Sequence, residues 1–310
     1  MKEVQSGLMY PWSEAWYVDQ DNGSNDYDGK APASAKATLT AAEAAMATRD
    51  RIYLRPGSTD HEISANIDFD LNDISVIGMS PNRFQPHVEL SQPDATSFSP
   101  LLTFSGRGQY ISNLTIKHGS STGYATDLTC ALVSGRYNMF DNVYFYGPLY
   151  AEQDVASTYI GVNVTGHNNY FYQCKFGSDG LDRDQANYNL QVAGVGNIFE
   201  DCIFQMKNDG TAPFFVNINN NARDMKYCIF KNCLFYAHDE NFTGAPAYAF
   251  DTDAAGGNTV GVVLDNCNFV NVTQVSDTTK DGVIWKSMYE GENNADTTKI
   301  GMIALRNQGV

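Results

Sequence analysis

A phrase of the form apolar, any, Asn-like, small apolar, any, Phe-like recurs six times. It reads Ile111-Ser-Asn-Leu-Thr-Ile116, Phe140-Asp-Asn-Val-Tyr-Phe145, Phe171-Tyr-Gln-Cys-Lys-Phe176, Phe199-Glu-Asp-Cys-Ile-Phe204, Phe230-Lys-Asn-Cys-Leu-Phe235 and Leu264-Asp-Asn-Cys-Asn-Phe269. The fourth position falls at 114, 143, 174, 202, 233 and 267, in steps of 29, 31, 28, 31 and 34 residues. That spacing is too long for a heptad and too uneven for a strict tandem array, and it predicts a solenoid whose rungs carry loops of variable length.

Upstream of the phrase lies a second regularity, an apolar alternation ending in Gly: Leu102-Thr-Phe-Ser-Gly106, Leu132-Val-Ser-Gly135, Val162-Asn-Val-Thr-Gly166 and Leu190-Gln-Val-Ala-Gly194. Weaker forms occur at Phe215-Val-Asn-Ile218 and Tyr248-Ala-Phe250. Each repeat therefore holds three short strands, which makes a triangular coil. Alternation sends Phe140, Val143 and Phe145 inward and Asp141 and Tyr144 outward. The Asn-like residues Asn113, Asn142, Gln173, Asp201, Asn232 and Asn266 stand between the second and third strands. Asn accepts left-handed backbone geometry and so suits a sharp corner, and amides stacked at the strand spacing form a ladder.

This pattern resembles the right-handed parallel β-helix of the pectin-lyase-like superfamily, over about residues 100–270. The fold class expected is all-β, a single-stranded parallel β-helix with a short N-terminal capping helix. The head of the chain is similar to the opening of many β-helix proteins: Trp16-Tyr-Val-Asp-Gln-Asp-Asn-Gly-Ser-Asn-Asp-Tyr-Asp-Gly-Lys-Ala-Pro32, then Arg51-Ile-Tyr-Leu-Arg-Pro-Gly57 and Ile74-Ser-Val-Ile-Gly78. Thr40-Ala-Ala-Glu43 reads as a capping box that starts a helix over Ala41 to Thr48, laid across the open edge of the first rung. The expected organisation is an anchor segment at 1–15, the β-helix at 16–276 with its helix near 40–48, and a C-terminal cap or subunit-contact segment at 277–310.

The chain carries 20 Lys plus Arg against 36 Asp plus Glu, a net charge of −16. A surface of that sign repels phosphate backbones and anionic lipid heads, so neither nucleic acid nor membrane insertion is expected. The N-terminus lacks the apolar core of a signal peptide, and no apolar run is long enough to span a bilayer. Four of the six cysteines, Cys174, Cys202, Cys233 and Cys267, share one repeat position. Stacked residues have parallel Cβ vectors that suit a bridge poorly, so reduced, buried thiols and synthesis in a reducing cytoplasm are expected.

The loops from each third strand to the next first strand are the place to seek chemistry. Gly180-Leu-Asp-Arg-Asp-Gln185 sets Asp182 and Asp184 beside Arg183, an acid/base pair with a cation if the chain is an enzyme. Asp251-Thr-Asp253 offers two carboxylates from one face, as glycosidases use. The alternatives are an exposed ion-paired loop and a solvated turn. The glycan-hydrolase signatures of the superfamily appear only as fragments, so no catalytic residue is carried over and no cofactor is expected. Asp19, Asp21, Asp26 and Asp28, with Asn25, are oxygen donors for Ca²⁺ at spacings unlike the EF-hand loop, and local amide bonding is the competing reading. Tyrosines at 124, 144, 146, 150, 159, 188 and 236, with Trp285, suit subunit contact, sugar stacking or plain packing.

The opening segment and the compact β-helix resemble phage virion structural proteins: capsid decorations, head fibres or tail spikes. The resemblance implies a non-enzymatic structural protein on the virion surface, a capsid decoration or head fibre. A homotrimer bound to the major capsid or another virion protein is the assembly it implies, with Leu8, Met9, Tyr10 and Trp12 as partner contacts. The alternatives are a tail-spike-like polysaccharide lyase or hydrolase and a non-catalytic adhesin for host surface glycan.

Overall fold

The computed structural model describes residues 13–79, 88–93, 98–118, 129–149, 153–154, 159–208, 213–218, 228–238, 245–251, 262–276 and 283–286. Every strand pairing among them is parallel. The first strands of successive rungs form one eight-stranded sheet, from Ile67–Phe69 through Leu102–Phe104, Ala131–Val133, Ile160–Val164, Tyr188–Val192, Phe214–Ile218 and Tyr248–Asp251 to Gln274–Ser276. The second and third strands form a larger sheet folded over a corner. In Tyr110–Lys117 and Met139–Tyr146 they run on as a single strand bent at its Asn. The predicted three-strand rung is therefore the unit of the fold.

The bend has the expected cause. Asn113, Asn142, Gln173, Asp201, Asn232 and Asn266 all have φ between 52 and 57°. This is the left-handed region that Asn tolerates best among residues with a side chain. The amides ladder from rung to rung: Asn142 Nδ2 donates to Asn113 Oδ1 at 2.9 Å, Asn232 Nδ2 to Asp201 Oδ1 at 3.0 Å and Asn266 Nδ2 to Asn232 Oδ1 at 2.9 Å.

Inside the coil the repeat phrase builds columns. Phe140, Phe171, Phe199 and Phe230 stack with ring centroids 4.7 Å apart at each step. Phe145, Phe176, Phe204, Phe235 and Phe269 form a second column at 4.7–5.2 Å. Those spacings equal the separation of paired strands, so the backbone dictates the ring stacking. Between the columns run Cys174, Cys202, Cys233 and Cys267, all free and buried. Each thiol donates to the main chain of the rung before, as Cys202 Sγ does to Phe171 O at 3.4 Å. Burial pushes the Cys130 and Cys228 thiols up.

The capping helix exists but begins earlier and is shorter than expected. It spans Leu39–Glu43, and the cap is Thr38, whose side chain accepts from the Ala41 N–H at 3.2 Å. Thr40 lies within the helix, so the Thr40/Glu43 pair is not a capping box. Leu39 and Ala42 are buried where the helix crosses the first rung, which covers the sheet's open edge.

A second ladder, which the sequence reading missed, runs inside the coil three residues after each repeat Gly. Asn138, Asn169 and Asn197 send Nδ2 to the carbonyls of Gly106, Gly135 and Gly166 at 3.0–3.1 Å. Their Oδ1 atoms accept the backbone N–H of Gln109, Asn138 and Asn169 at 2.9–3.0 Å. All three Asn side chains are buried. The glycine is needed because of that approach: a Cβ at Gly166 would lie 1.7 Å from Gly135 O.

Candidate functional site

With the interior filled by rings, thiols and amides, chemistry is left to outward side chains and loop bases. The outer face of the eight-stranded sheet carries one continuous array. The strand register aligns Tyr188 with Phe214 and Asn163 with Gln191 and Asn217, and Asn217 with Asp251. Gln191 Nε2 donates to Asn217 Oδ1 at 3.0 Å, and Asn217 Nδ2 donates to Asp251 Oδ2 at 3.0 Å. Beside that polar row the rings of Tyr188, Phe214 and Tyr248 stack, with centroids 5.7 and 6.2 Å apart. Tyr188 Oη ties the two rows together by donating to Asp251 Oδ2 at 2.9 Å. Half-buried aromatic plates flanked by fixed amides and a carboxylate suit a ligand with apolar faces and hydroxyl edges.

Asp251 thus lies on an outward sheet face, as the sequence predicts for the first strand. It accepts from both Asn217 Nδ2 and Tyr188 Oη, so it is a member of a side-chain ladder. Asp253 lies outside the described residues. The aromatic array was readable in principle: an aromatic precedes Leu190, Val216 and Phe250 by two positions on three successive rungs. Only Tyr188 of the three was singled out.

The Asp182-Arg183-Asp184 triplet does not present a cation between two carboxylates. Asp182–Arg183 is a short strand paired to Lys207–Asn208, and alternation turns the two side chains opposite ways. Asp182 is exposed and pairs with Lys207 Nζ at 3.2 Å. Arg183 is fully buried. Its Nε donates to Asn187 Oδ1 at 3.0 Å, its terminal nitrogens donate to Asn187 and Asn189, and Asp154 Oδ1 stands 4.0 Å from Nε. Asp154 in turn accepts from the Asp184 N–H at 2.9 Å and from Asn187 Nδ2. This is a clamp that ties the base of one loop to the next. Burial lowers the Arg183 pKa against the opposing pull of Tyr159 and Asp154. Tyr159, expected among loop and outward aromatics, is instead fully buried against that guanidinium, its ring centroid 5.7 Å away. Burial raises its pKa.

Tyr144, Tyr146 and Tyr236 do face outward, on the third-strand side. Tyr144 and Tyr146 have centroids 5.0 Å apart, Lys175 Nζ lies 4.6 Å from the Tyr144 ring, and Gln205 Nε2 donates to Tyr144 Oη at 2.9 Å. Tyr124, Tyr150 and the side chain of Trp285 lie outside the described residues, as do Leu8, Met9, Tyr10 and Trp12.

The acidic stretch near the N-terminus is folded on local partners. Asp19 accepts from the N–H groups of Asp21 and Asn22 at 3.1 Å and from Arg55 at 2.6 Å. Burial works to raise its pKa, but Arg55 and the Asn22 amides outweigh it and the value falls below the usual carboxylate range. Asp21 holds Ser58, Asp28 holds Ser34 and the Lys30 N–H, and Asp26 sends its N–H to Ser24 Oγ. Among the described residues no three His, Cys, Asp or Glu side chains converge as a metal site.

No protein-family model matches the chain, and no curated protein matches it. Solved structures do. A pectin methylesterase in complex with a hexasaccharide superposes with a TM-score of 0.60 at 13% identity, covering 93% of this chain and 92% of that one. Pectate lyase Pel9A gives 0.57 at 14% identity over 94% and 82%. Pectin methylesterase PemA from Erwinia chrysanthemi gives 0.52 at 14% over 88% and 81%. At these identities the likeness establishes the architecture alone, a right-handed parallel β-helix.

Proposed function

We propose that this chain is a non-enzymatic structural protein of a phage particle, a capsid decoration or head fibre that presents a stiff β-helix on the virion surface. The observation that carries the non-enzymatic half is the fate of the charged candidates. Asp182 is paired with Lys207, Arg183 is held by Asn187, Asn189 and Asp154 in a buried clamp, and Asp251 is bonded within a ladder, so each of these three candidates is engaged with other partners rather than with one another. The viral half rests on the resemblance of the opening segment to phage structural proteins. On this reading the protein is made in the host cytoplasm and assembles as a homotrimer on a capsid protein. The test is its copy number on purified particles, by quantitative peptide mass spectrometry against the major coat protein. A ratio comparable with the coat protein supports a decoration, and absence from the particles overturns the reading.

A second reading is glycan recognition, as an adhesin or a tail-spike-like lyase or hydrolase. The aromatic and amide array on the eight-stranded sheet favours it. Its test is binding to acidic and neutral oligosaccharides by calorimetry, with Phe214→Ala as the variant and chain shortening as the readout for turnover. Binding that Phe214→Ala abolishes, without product, makes the chain an adhesin. If product appears, full activity in Ala variants of Asp182, Arg183, Asp184, Asp251 and Asp253 would remove them as catalytic candidates.

A further inference from the structure

The second-strand face opens, at its first three rungs, on an apolar groove. Tyr17 and Tyr53 are register partners whose rings stack with centroids 5.5 Å apart. Met79, just past the third rung's strand, is 48% exposed, one of few large hydrophobic side chains so open among the described residues. These three line two adjoining concavities. One, of about 270 Å³, is closed by Ser13, Glu14, Ala15 and Arg51. The other, of about 330 Å³, is closed by Asp19, Pro32, Arg55 and Pro56 among others. The shelf is apolar and its rim carries Glu14, Arg51, Asp19 and Arg55.

The rim itself points to the occupant. Ser13 and Glu14 line the first concavity, and directly ahead of them in the chain stands Leu8-Met-Tyr-Pro-Trp12, five consecutive residues with large apolar side chains. Five residues extend over roughly 17 Å. Stepping from the first rung to the third takes roughly 10 Å. The segment is therefore long enough to run up the groove over Tyr17 and Tyr53 to Met79, and its attachment at the rim gives it a high effective concentration there.

We propose that residues 8–12 dock in cis into the Tyr17/Tyr53/Met79 groove, as a strap over the outer face of the first rungs. The strap complements the helix Leu39–Glu43, which covers the open edge of the same rungs. It assigns the apolar N-terminal segment to the chain's own fold rather than to a partner.

The experiment is cross-linking of the full chain with a short bis-maleimide, in the Met9→Cys/Met79→Cys double variant. Ser13→Cys/Met79→Cys, whose two positions line one concavity, is the control, and the native thiols are buried. The expected result is coupling within one chain at half the control yield or more. Tyr17→Ser/Tyr53→Ser added to the Met9/Met79 pair should lower that yield several-fold. A yield no higher than in the urea-denatured chain, with the control coupling normally, overturns the proposal. Coupling between two chains also overturns it and transfers the groove to a sister copy. Insensitivity to the tyrosine changes overturns the assigned shelf.

Discussion

Replacing Asn169 by Ala tests whether the inner amide ladder, and not ring stacking alone, fixes the rungs. Asn169 Nδ2 is the donor to Gly135 O at 3.1 Å, and its Oδ1 accepts the backbone N–H of Asn138 at 3.0 Å. The site is buried, so the variant strands one N–H from both protein and solvent and removes a donor from one carbonyl. Each such orphan costs about 1–3 kcal/mol, giving a total of about 2–6 kcal/mol. Asn142→Gly is the comparison. It removes a bond from the partly exposed corner ladder while glycine keeps the left-handed backbone at φ 56°, so about 1 kcal/mol or less is expected. Urea unfolding followed by far-UV circular dichroism measures both. If unfolding is irreversible, the unfolding rates report the difference instead, and about 3 kcal/mol corresponds to roughly a hundredfold if the ladder forms late in folding. The reasoning fails if Asn169→Ala lies within about 1 kcal/mol of wild type, or if Asn142→Gly costs as much.

Gly166→Ala should give little soluble protein, because its Cβ meets a backbone carbonyl, whereas Gly180→Ala meets nothing nearer than 3.5 Å and should express normally; soluble yield compares them. Asp154→Ala leaves Arg183 buried without its carboxylate and should cost about 3–5 kcal/mol. Asp182→Ala removes only an exposed ion pair and should cost less than about 1 kcal/mol by the same unfolding assay. Tyr110 is pushed up to about 12, by burial first and the Asp141 carboxylate second. Its folded value exceeds its ordinary one, so its contribution to stability is full below about pH 10 and is lost as pH rises toward 12. Ultraviolet titration of Tyr110→Phe against wild type should show one phenol fewer ionising near pH 12. A thiol reagent should find none of the described cysteines in the native protein and six thiols in the denatured chain.

The fold was legible because the solenoid repeats its physical requirements at fixed offsets. A position that must be left-handed, such as Asn142, or inward and apolar, such as Phe171, recurs from rung to rung and so becomes a pattern. The inner amides recur equally well, as Gly106-Arg-Gly-Gln109, Gly135-Arg-Tyr-Asn138, Gly166-His-Asn-Asn169 and Gly194-Val-Gly-Asn197. They passed unnoticed because polar residues after Gly read as a turn, and nothing local says that such a turn faces the core. Arg183 shows the opposite difficulty. Its neighbours Asp182 and Asp184 suggest an exposed ionic loop, and its burial follows from Asn187, Asn189 and Asp154, whose convergence is a property of adjacent rungs. The helix start was misplaced by two residues because Thr38 and Thr40 both carry capping hydroxyls, and only the Ala41 N–H decides between them.

The two amide ladders also limit where a binding surface can evolve. Six corners are taken by a left-handed Asn, Gln or Asp, and four rungs close the inner turn with Gly-x-x-Asn or Gly-x-x-Gln, so substitutions there propagate to the rungs on either side. Outward positions of the sheets carry no such obligation, since the pairing beneath them is made by backbone alone. The Tyr188, Phe214 and Tyr248 array is therefore a choice rather than a requirement of the coil: Gln274, the next residue in register after Tyr248, continues the strand without a ring. Among the described residues the aromatic row spans three rungs beside Gln191, Asn217 and Asp251, and that finite extent is what supports the glycan-recognition reading proposed above.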